Sequence, residues 1–333
     1  RSYSVTGVQT CALPIYVEFE AVVSAYDIKS TIYEIPLIYQ QQKLDAIVLQ
    51  KLDLPPGESD MDAWRRIVKT FTETEKKVRI AVVGKYIDLG DSYKAVDEAL
   101  YHGGFANEAR VELVKINSEK LEKESDLASV FDGVDGILVP GGFGQRGILG
   151  MVTAARWARE HGIPCFGICL GLQIMVIEFA RNVLLLEDAD STEFAPSCGS
   201  PVVVLLEEQI DVKNYGGTMR LGRSESLLVP GTKLPEIYGS RSIFERHRHR
   251  YEVSNRFRPL LEEAGMKVAG VTPDGELVEC MEWSGHPWGI GVQFHPEFLS
   301  TPVKAHPLFG SFIAAAIRNR ARRMSPAATE TEP

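Results

Sequence analysis

The chain has 333 residues, of which 44% are hydrophobic and 24% are charged, a balance typical of ordinary folded proteins and not of disordered or fibrous ones. This length suits about two domains. The formal net charge of −9 disfavours nucleic acid as a partner, because phosphate binding needs a surplus of Lys and Arg. No segment approaches the ~18 consecutive apolar residues that a membrane span needs, so we expect no membrane partner. Five cysteines without a CxxC pair indicate reduced thiols and a cytoplasmic protein.

The two ends of the chain differ from its centre. The chain begins with Arg1 and not Met, and residues 1–15 lack the apolar core of a secretory signal, so we expect a non-native or disordered extension there. Residues 16–55 end at a Pro-Pro-Gly break, and residues 56–77 form a linker whose part 61–77 has the apolar spacing of an amphipathic helix. From Arg318 the sequence turns basic and then rich in Pro, Ala, Thr and Glu, which predicts an exposed end and a disordered tail at 322–333.

From Val78 onward, short apolar runs alternate with longer amphipathic segments. This alternation is typical of an α/β fold in which an open, mostly parallel sheet of flavodoxin-like type carries helices on both faces. The pattern predicts strands at 78–84, 111–116, 136–140, 163–168 and 289–294, and helices at 92–103, 151–161 and 170–180. In such a sheet the reactive groups collect at the carboxyl ends of the strands. Two glycine-rich segments occupy such ends, PGGFG at 140–144 (the glycine loop) and GICLG at 167–171.

Cys169 lies at the centre of the second segment, in the pattern GxCxG. Two flanking glycines allow the tight strand-to-helix turn of a nucleophile elbow, which presents the thiol, and the start of a helix favours the thiolate. The backbone N–H of Leu170 and an N–H near Gly142 would then form an oxyanion hole. The motif alone is equally compatible with a small core cysteine at a close helix–strand contact.

A histidine and a carboxylate late in the chain decide between these interpretations. His295 follows the predicted strand 289–294, and Glu297 comes two residues later, after a rigid proline. A carboxylate at this spacing can hold the imidazole in one tautomer while the other ring nitrogen acts as the base for a thiol. We interpret the other histidines that we weighed as structural: His102, His161, His286 and His306.

The run ArgHisArgHisArg at 246–250 suggests a metal or nucleic-acid site at first sight. Arginines between the histidines would put a cation beside any bound metal, and the acidic net charge opposes a nucleic-acid partner. We therefore expect no metal site. No GxxxxGK[ST] nucleotide motif occurs in the chain, and GGTMRLG at 216–222 lacks its spacing.

Three motifs, PGGFG at 140–144, GICLGLQ at 167–173 and FHPE at 294–297, resemble those of the triad-type, class I glutamine amidotransferases. The resemblance implies that residues 78–321 form the amidotransferase domain. It implies Cys169 as nucleophile, His295 as base and acid, and Glu297 as the orienting carboxylate. It also implies that glutamine is bound by Gly142, Gln173, Glu193 and Arg250. Composition alone is also compatible with Glu193 and Arg250 as solvated surface charges.

Five further strings resemble those members of the family that pass ammonia to an ATP-phosphorylated UTP, which gives CTP: GKYI at 84–87, DSTEF at 190–194, GGTMRLG at 216–222, ERHRHRYEV at 245–253 and HPLF at 306–309. By this resemblance, residues 16–55 would be the end of a synthetase domain, and we expect the rest of that domain, with its UTP and ATP site, to be absent. ATP and Mg²⁺ would be the cofactors, GTP the activator and a homotetramer the assembly of the complete enzyme, with no cofactor in this chain. We expect the chain alone to be only a glutaminase. Another amidotransferase, a γ-glutamyl hydrolase and a non-enzymatic regulatory module remain the alternatives.

Overall fold

The computed structural model describes residues 17–205 and 219–325, so the predictions for residues 1–15 and for the last eight residues lie outside the described ranges. The chain divides into two units, Arg1–Glu75 and Lys76–Pro333. Among the described residues, no helix combines the length and the apolar character that crossing a bilayer requires.

The first unit is helical in its described part and has few buried side chains. Two short 3₁₀ helices, Phe19–Ala21 and Ile32–Glu34, precede α1 (Ile35–Gln41), α2 (Leu44–Lys51) and α3 (Asp62–Glu73). Helix α3 is the amphipathic helix predicted at 61–77, although it ends four residues earlier. That residues 16–55 are the end of a synthetase domain remains a prediction.

The second unit is built on a large mixed sheet. Its strands are β1 (Lys77–Gly84), β2 (Arg110–Asn117), β3 (Gly136–Val139), β4 (Cys165–Ile168), β7 (Arg220–Leu228), β8 (Ser242–His249), β10 (Met266–Val271), β11 (Val278–Trp283) and β12 (Gly289–Val292). In the described ranges their order is β2-β1-β3-β4-β12-β11-β10-β7-β8. The first five strands of this order run parallel, and the other four extend the sheet by antiparallel pairing. A smaller sheet joins β5 (Ala189–Ser191), β6 (Ser200–Leu205) and β9 (Tyr251–Val253).

Helices cover both faces of the parallel part of the sheet. Side chains alternate between the two faces of each strand, so each strand contributes apolar residues to the core on both sides. On β1, Ala81 and Val83 join the core cluster that contains Met151 and Met175, whereas Ile80 and Val82 join the cluster on the opposite side. The helices of the second unit are α4 (Lys94–Ala106), α5 (Ser118–Leu121), α6 (Leu127–Val130), α7 (Ile148–His161), α8 (Leu170–Asn182), α9 (Leu234–Tyr238), α10 (Arg258–Glu263) and α11 (Pro307–Met324). The predicted α/β fold with a mostly parallel sheet is thus confirmed.

Helix α11 continues to Met324, so residues 322–324 are helical where a disordered tail was predicted, although residues 318 and 321–325 are exposed as predicted. The carboxylate of Asp135, which is fully buried before β3, accepts hydrogen bonds from Arg323 (2.6 Å) and Arg320 (3.3 Å) of this helix. It also accepts from the backbone N–H of Arg79 (2.8 Å). The helix thus extends three residues past the predicted domain end at 321, and its basic residues pair with a buried carboxylate.

Candidate active site

Cys169 occupies the turn between β4 and α8 in a conformation that L-residues rarely adopt, with φ 53° and ψ −101°. Its backbone N–H donates to the carbonyl of Val292 at the end of β12 (2.7 Å), which fixes the turn to the neighbouring strand. Backbone strain of this kind persists only where the surrounding structure enforces it, and it is concentrated at functional sites. The predicted elbow is present at this position, but Cys169 is buried at 4% exposure and not presented to solvent as expected.

The two glycines of the elbow are required by close backbone approach. A Cβ atom on Gly171 would lie 2.1 Å from the carbonyl oxygen of Val139, and one on Gly167 would lie 2.6 Å from the backbone of Gly171. Any side chain at either position would therefore push the start of α8 away from β3 and β4.

His295 and Glu297 form the ion pair that the sequence predicts. The Nδ1 atom of His295 lies 2.8 Å from Oε1 of Glu297, so the Nε2 edge of the ring is left for another partner. The glycine loop lies against both the histidine and the cysteine: a Cβ on Gly141 would be 3.0 Å from Cε1 of His295 and 3.6 Å from Cβ of Cys169. The structure thus brings the three predicted catalytic side chains together.

The pKa of His295 is raised to about 10. Burial alone would lower this pKa, but hydrogen bonds to Cys169 and Glu297 and the charges of both partners outweigh the loss of hydration. The imidazole is therefore protonated at neutral pH, which is the state that stabilises an adjacent thiolate.

The other described cysteines are held as neutral thiols. Burial raises the pKa of Cys165 and Cys280, and burial together with the charge of Asp190 raises the pKa of Cys198. All four cysteines in the described part of the chain are free thiols. Cys169 differs from the other three in having a cationic histidine as its neighbour.

The two predicted oxyanion donors lie on adjacent segments of backbone. A Cβ on Gly142 would lie 3.3 Å from Cδ2 of Leu170, so the glycine loop runs directly past the start of α8. The N–H of Leu170 belongs to the first helical turn, where amides have no acceptor within the helix. The two segments that would supply the oxyanion donors therefore lie next to each other at Cys169.

Gln173 lies four residues after Cys169 on α8 and is almost fully buried. Its amide nitrogen donates to the carbonyl of Tyr251 (3.1 Å) and to Oε1 of Gln293 (3.3 Å). The Nε2 atom of Gln293 in turn donates to Sγ of Cys169 (3.8 Å). Gln293 was not among the predicted site residues. The available signal was one polar residue in the apolar run GIGVQF.

Glu193 and Arg250 both border the site. Oε1 of Glu193 accepts from the backbone N–H of Gly144 (2.7 Å), so this carboxylate contacts the glycine loop. Arg250 lies in the turn between β8 and β9. The backbone on either side of it touches the site, because the Arg248 carbonyl lies 3.9 Å from Sγ of Cys169 and the Tyr251 carbonyl accepts from Gln173.

Lys85 is a second residue near the site that sequence reasoning missed. It follows β1, is 2% exposed and donates through Nζ to the carbonyls of Phe143 (3.2 Å) and Gly144. Burial lowers its pKa to about 8, although the charge of Glu193 opposes this shift.

The alternating His and Arg residues of β8 separate by face. His247 and His249 point inward, where Nδ1 of His247 lies 2.9 Å from Nε2 of His249, while Arg246 and Arg248 are exposed. Burial, together with the charges of Arg220 and His295, lowers the pKa of His247 to about 3, so this histidine is neutral. The described residues contain no group of three or more His, Cys, Asp or Glu side chains arranged to hold a metal ion.

Comparison with known proteins gives consistent matches. The family model for glutamine amidotransferase class-I matches residues 87–315. A CTP synthase from Geobacter sulfurreducens is 49% identical over 313 residues, which is 94% of this chain and 58% of the relative. A CTP synthase from Rubrobacter xylanophilus is 50% identical over 301 residues, covering 90% of this chain and 54% of the relative.

One solved structure is also similar, the glutaminase domain of Trypanosoma brucei CTPS with bound acivicin. It is 39% identical with a TM-score of 0.67, and the match covers 72% of this chain and 94% of that domain. The chain spans little more than half the length of the curated relatives it matches.

Proposed function

The chain belongs to the class I glutamine amidotransferases, and from this we propose that its second unit hydrolyses glutamine to glutamate and ammonia with Cys169 as the nucleophile. The observation that carries the proposal is the placement of His295 against both Cys169 and Glu297, which raises the pKa of the imidazole to about 10. This arrangement supplies a thiolate and a proton donor in the same resting site.

In the first half of the reaction, the Cys169 thiolate attacks the side-chain carboxamide carbon of glutamine. The carbonyl oxygen becomes an oxyanion, which the N–H groups of Leu170 and of the Gly142 region stabilise. The C–N bond then breaks, the imidazolium of His295 gives its proton to the departing amine, and ammonia leaves a γ-glutamyl thioester on Cys169.

In the second half, His295 is neutral and acts as a general base. It takes a proton from a water molecule, whose oxygen attacks the thioester carbonyl. The C–S bond breaks, glutamate leaves, and the proton held by His295 restores the thiolate–imidazolium pair. Glu297 keeps Nδ1 of the ring protonated throughout, so Nε2 performs both transfers.

We assign recognition of the free amino acid end of glutamine to Gln173, Glu193 and Arg250. A carboxylate suits the α-ammonium group and a guanidinium suits the α-carboxylate, because charge-assisted hydrogen bonds are the strongest available there. Two positions support this assignment: Glu193 contacts the glycine loop, and Arg250 lies in the turn that begins two residues after the Arg248 carbonyl, which is 3.9 Å from Sγ of Cys169.

For the complete protein we propose the ligase reaction of the matched CTP synthases, in which ammonia aminates an ATP-phosphorylated UTP to CTP in pyrimidine nucleotide biosynthesis. Residues 16–55 would be the end of the synthetase domain. ATP and Mg²⁺ would act there as cofactors, GTP as an activator and a cytoplasmic homotetramer as the assembly. The relatives cover more than 90% of this chain while the match spans less than 60% of their own length, which supports this proposal. The chain by itself would release ammonia without forming CTP.

The test compares the glutaminase rates of the wild-type chain, Cys169→Ala and the matched control Cys198→Ala. We expect Cys169→Ala to lose roughly 10³-fold or more in rate, as removal of a nucleophile does, and the control to retain the wild-type rate. Acivicin should label Cys169 of the wild type, as detected by mass spectrometry. Equal rates for Cys169→Ala and wild type would overturn the proposed mechanism.

A further inference from the structure

Lys85 holds the glycine loop but takes no part in the proposed bond-breaking and proton-transfer steps. Its ammonium group donates to two consecutive carbonyls of the loop, those of Phe143 and Gly144. The stem of the same side chain lies beside the preceding residue, since a Cβ on Gly142 would be 3.5 Å from Cε of Lys85. The lysine therefore contacts the loop at the residue proposed to line the oxyanion hole and at the two residues that follow.

A carboxylate holds the same peptide by its N–H group. Oε1 of Glu193 accepts from the N–H of Gly144 (2.7 Å), while Lys85 binds the carbonyls of residues 143 and 144. The Phe143 carbonyl also accepts from the hydroxyl of Tyr86 (3.2 Å). The loop is thus held through two carbonyls and one N–H group, so the peptide plane between Phe143 and Gly144 cannot rotate freely.

A buried ammonium group is costly to the fold unless it is well paired. The groups whose charges act on Lys85 are Glu193 and Glu119, which favour the protonated amine, and Arg146, which opposes it; the ring of Phe194 lies 5.8 Å from Nζ. Burial outweighs the two carboxylates, and the pKa falls from 10.5 to about 8. An apolar side chain of similar length would avoid this cost, so the amine at this position is explained by what it binds.

We propose that Lys85 is a positioning residue of the glutaminase reaction: its ammonium group clamps the carbonyls of Phe143 and Gly144 and thereby aims the N–H groups of the glycine loop at the oxyanion. This inference rests on the proposed glutaminase function. The clamp acts on a charge that exists only in the transition state, so its loss lowers kcat and leaves KM nearly unchanged.

The protonated amine is the clamping form, so the clamp is lost as the pH rises through the pKa of Lys85 at about 8. The wild-type kcat should fall across this pH range, well below the pKa of His295 at about 10. We therefore expect kcat to decrease in two separate steps at alkaline pH, the first from Lys85 and the second from His295.

The experiment measures kcat and KM for glutamine hydrolysis from pH 6 to 10 in the wild type, in Lys85→Met and in Lys267→Met, whose lysine is exposed on β10. Removal of an oxyanion donor costs about 10²–10³-fold in kcat, so misaiming it should cost about 10- to 100-fold at pH 7. We expect this loss in Lys85→Met with KM within about threefold. The step near pH 8 should disappear in Lys85→Met and remain in Lys267→Met.

The rate at which iodoacetamide alkylates Cys169 separates this role from a general structural one. The thiolate depends on His295 and not on the loop, so Lys85→Met should be alkylated at the wild-type rate. A flat wild-type kcat between pH 7 and 9, wild-type kcat in Lys85→Met, or slowed alkylation in that variant would each overturn the proposal. A wild type that neither hydrolyses glutamine nor reacts with acivicin would instead refute the proposed function.

Discussion

His295 is cationic because of its partners and not because of its exposure. Burial lowers the pKa of His102 and His286 to about 4 and, with nearby cations, that of His247 to about 3. The side chain of His295 is only 13% exposed, yet its pKa rises to about 10 because a thiol and a carboxylate bind its two sides. Histidines of one domain thus have opposite charge states: His102, His286 and His247 are neutral, and His295 is cationic. Of these four, only His295 is suited to proton transfer.

At this scale we predict that Glu297→Gln lowers kcat by about 10²–10⁴-fold, the usual contribution of a general acid–base group. The loss of the carboxylate should lower the pKa of His295, so the upper of the two alkaline steps in kcat, the one set by loss of the imidazolium proton, should move to lower pH. Glutaminase pH profiles of the wild type, Glu297→Gln and the exposed control Glu263→Gln provide the measurement. An unshifted upper step in Glu297→Gln would contradict this account of the His295 pKa.

The elbow is the element that carries Cys169, and its geometry depends on the distance between α8 and β3. Gly171 allows the first turn of the helix to approach the Val139 carbonyl, and this approach places Cys169 at the carboxyl edge of the sheet. Strand, turn and helix therefore act as one rigid support for the thiol.

Gly171→Ala should accordingly destabilise the fold by about 1–3 kcal/mol or more, because its Cβ would meet a backbone atom that cannot move alone. Gly310→Ala is the matched control, since a Cβ there meets nothing within 4 Å. In the interior of α11 it should stabilise by roughly 0.5–1 kcal/mol through helix propensity. Urea unfolding of the two variants measures both free energies. Similar stability of Gly171→Ala and wild type would show that α8 can move away from β3.

At the scale of the whole molecule, the site gathers segments that are far apart in the sequence. Lys85, the glycine loop, Cys169 and His295 follow β1, β3, β4 and β12, which are parallel strands of one sheet. The carboxyl ends of parallel strands share one edge, so residues separated by two hundred positions converge there.

The end of α11 is part of this molecule-wide framework. A chain that ends at Ala321 lacks Arg323. Its free energy of unfolding should be about 1–3 kcal/mol lower than that of a chain that ends at Ser325, because the buried Asp135 carboxylate loses a charged donor. Chemical denaturation of the two truncated chains, with Arg323→Ala in the full chain as a further comparison, checks this value. Equal stabilities would mean that Arg320 alone satisfies Asp135.

Local pattern was sufficient to predict the framework and to select three side chains that the structure brings together. Alternating apolar runs predicted the α/β fold, and their strands and helices are present with ends shifted by a few residues. GxCxG and HisProGlu predicted Cys169, His295 and Glu297, because each motif encodes its own turn within a few residues. The roles of Gly142, Gln173, Glu193 and Arg250 in binding glutamine remain predictions from the family resemblance.

What only the tertiary structure decided concerns polar side chains whose partners lie far away in the chain. No strand between β4 and β12 was predicted. In β8 the reason is that Glu245, His247 and His249 face inward, which reverses the usual pattern of apolar residues inside and polar residues outside. Lys85 and Gln293 were missed for the same reason, since nothing local explains a buried amine or amide. The basic residues Arg320 and Arg323 near the C-terminus bind the buried Asp135, a partner that lies almost two hundred residues earlier and that no local pattern indicates. A buried polar group is stable only when distant segments supply its hydrogen bonds, and that complement exists only in the folded chain.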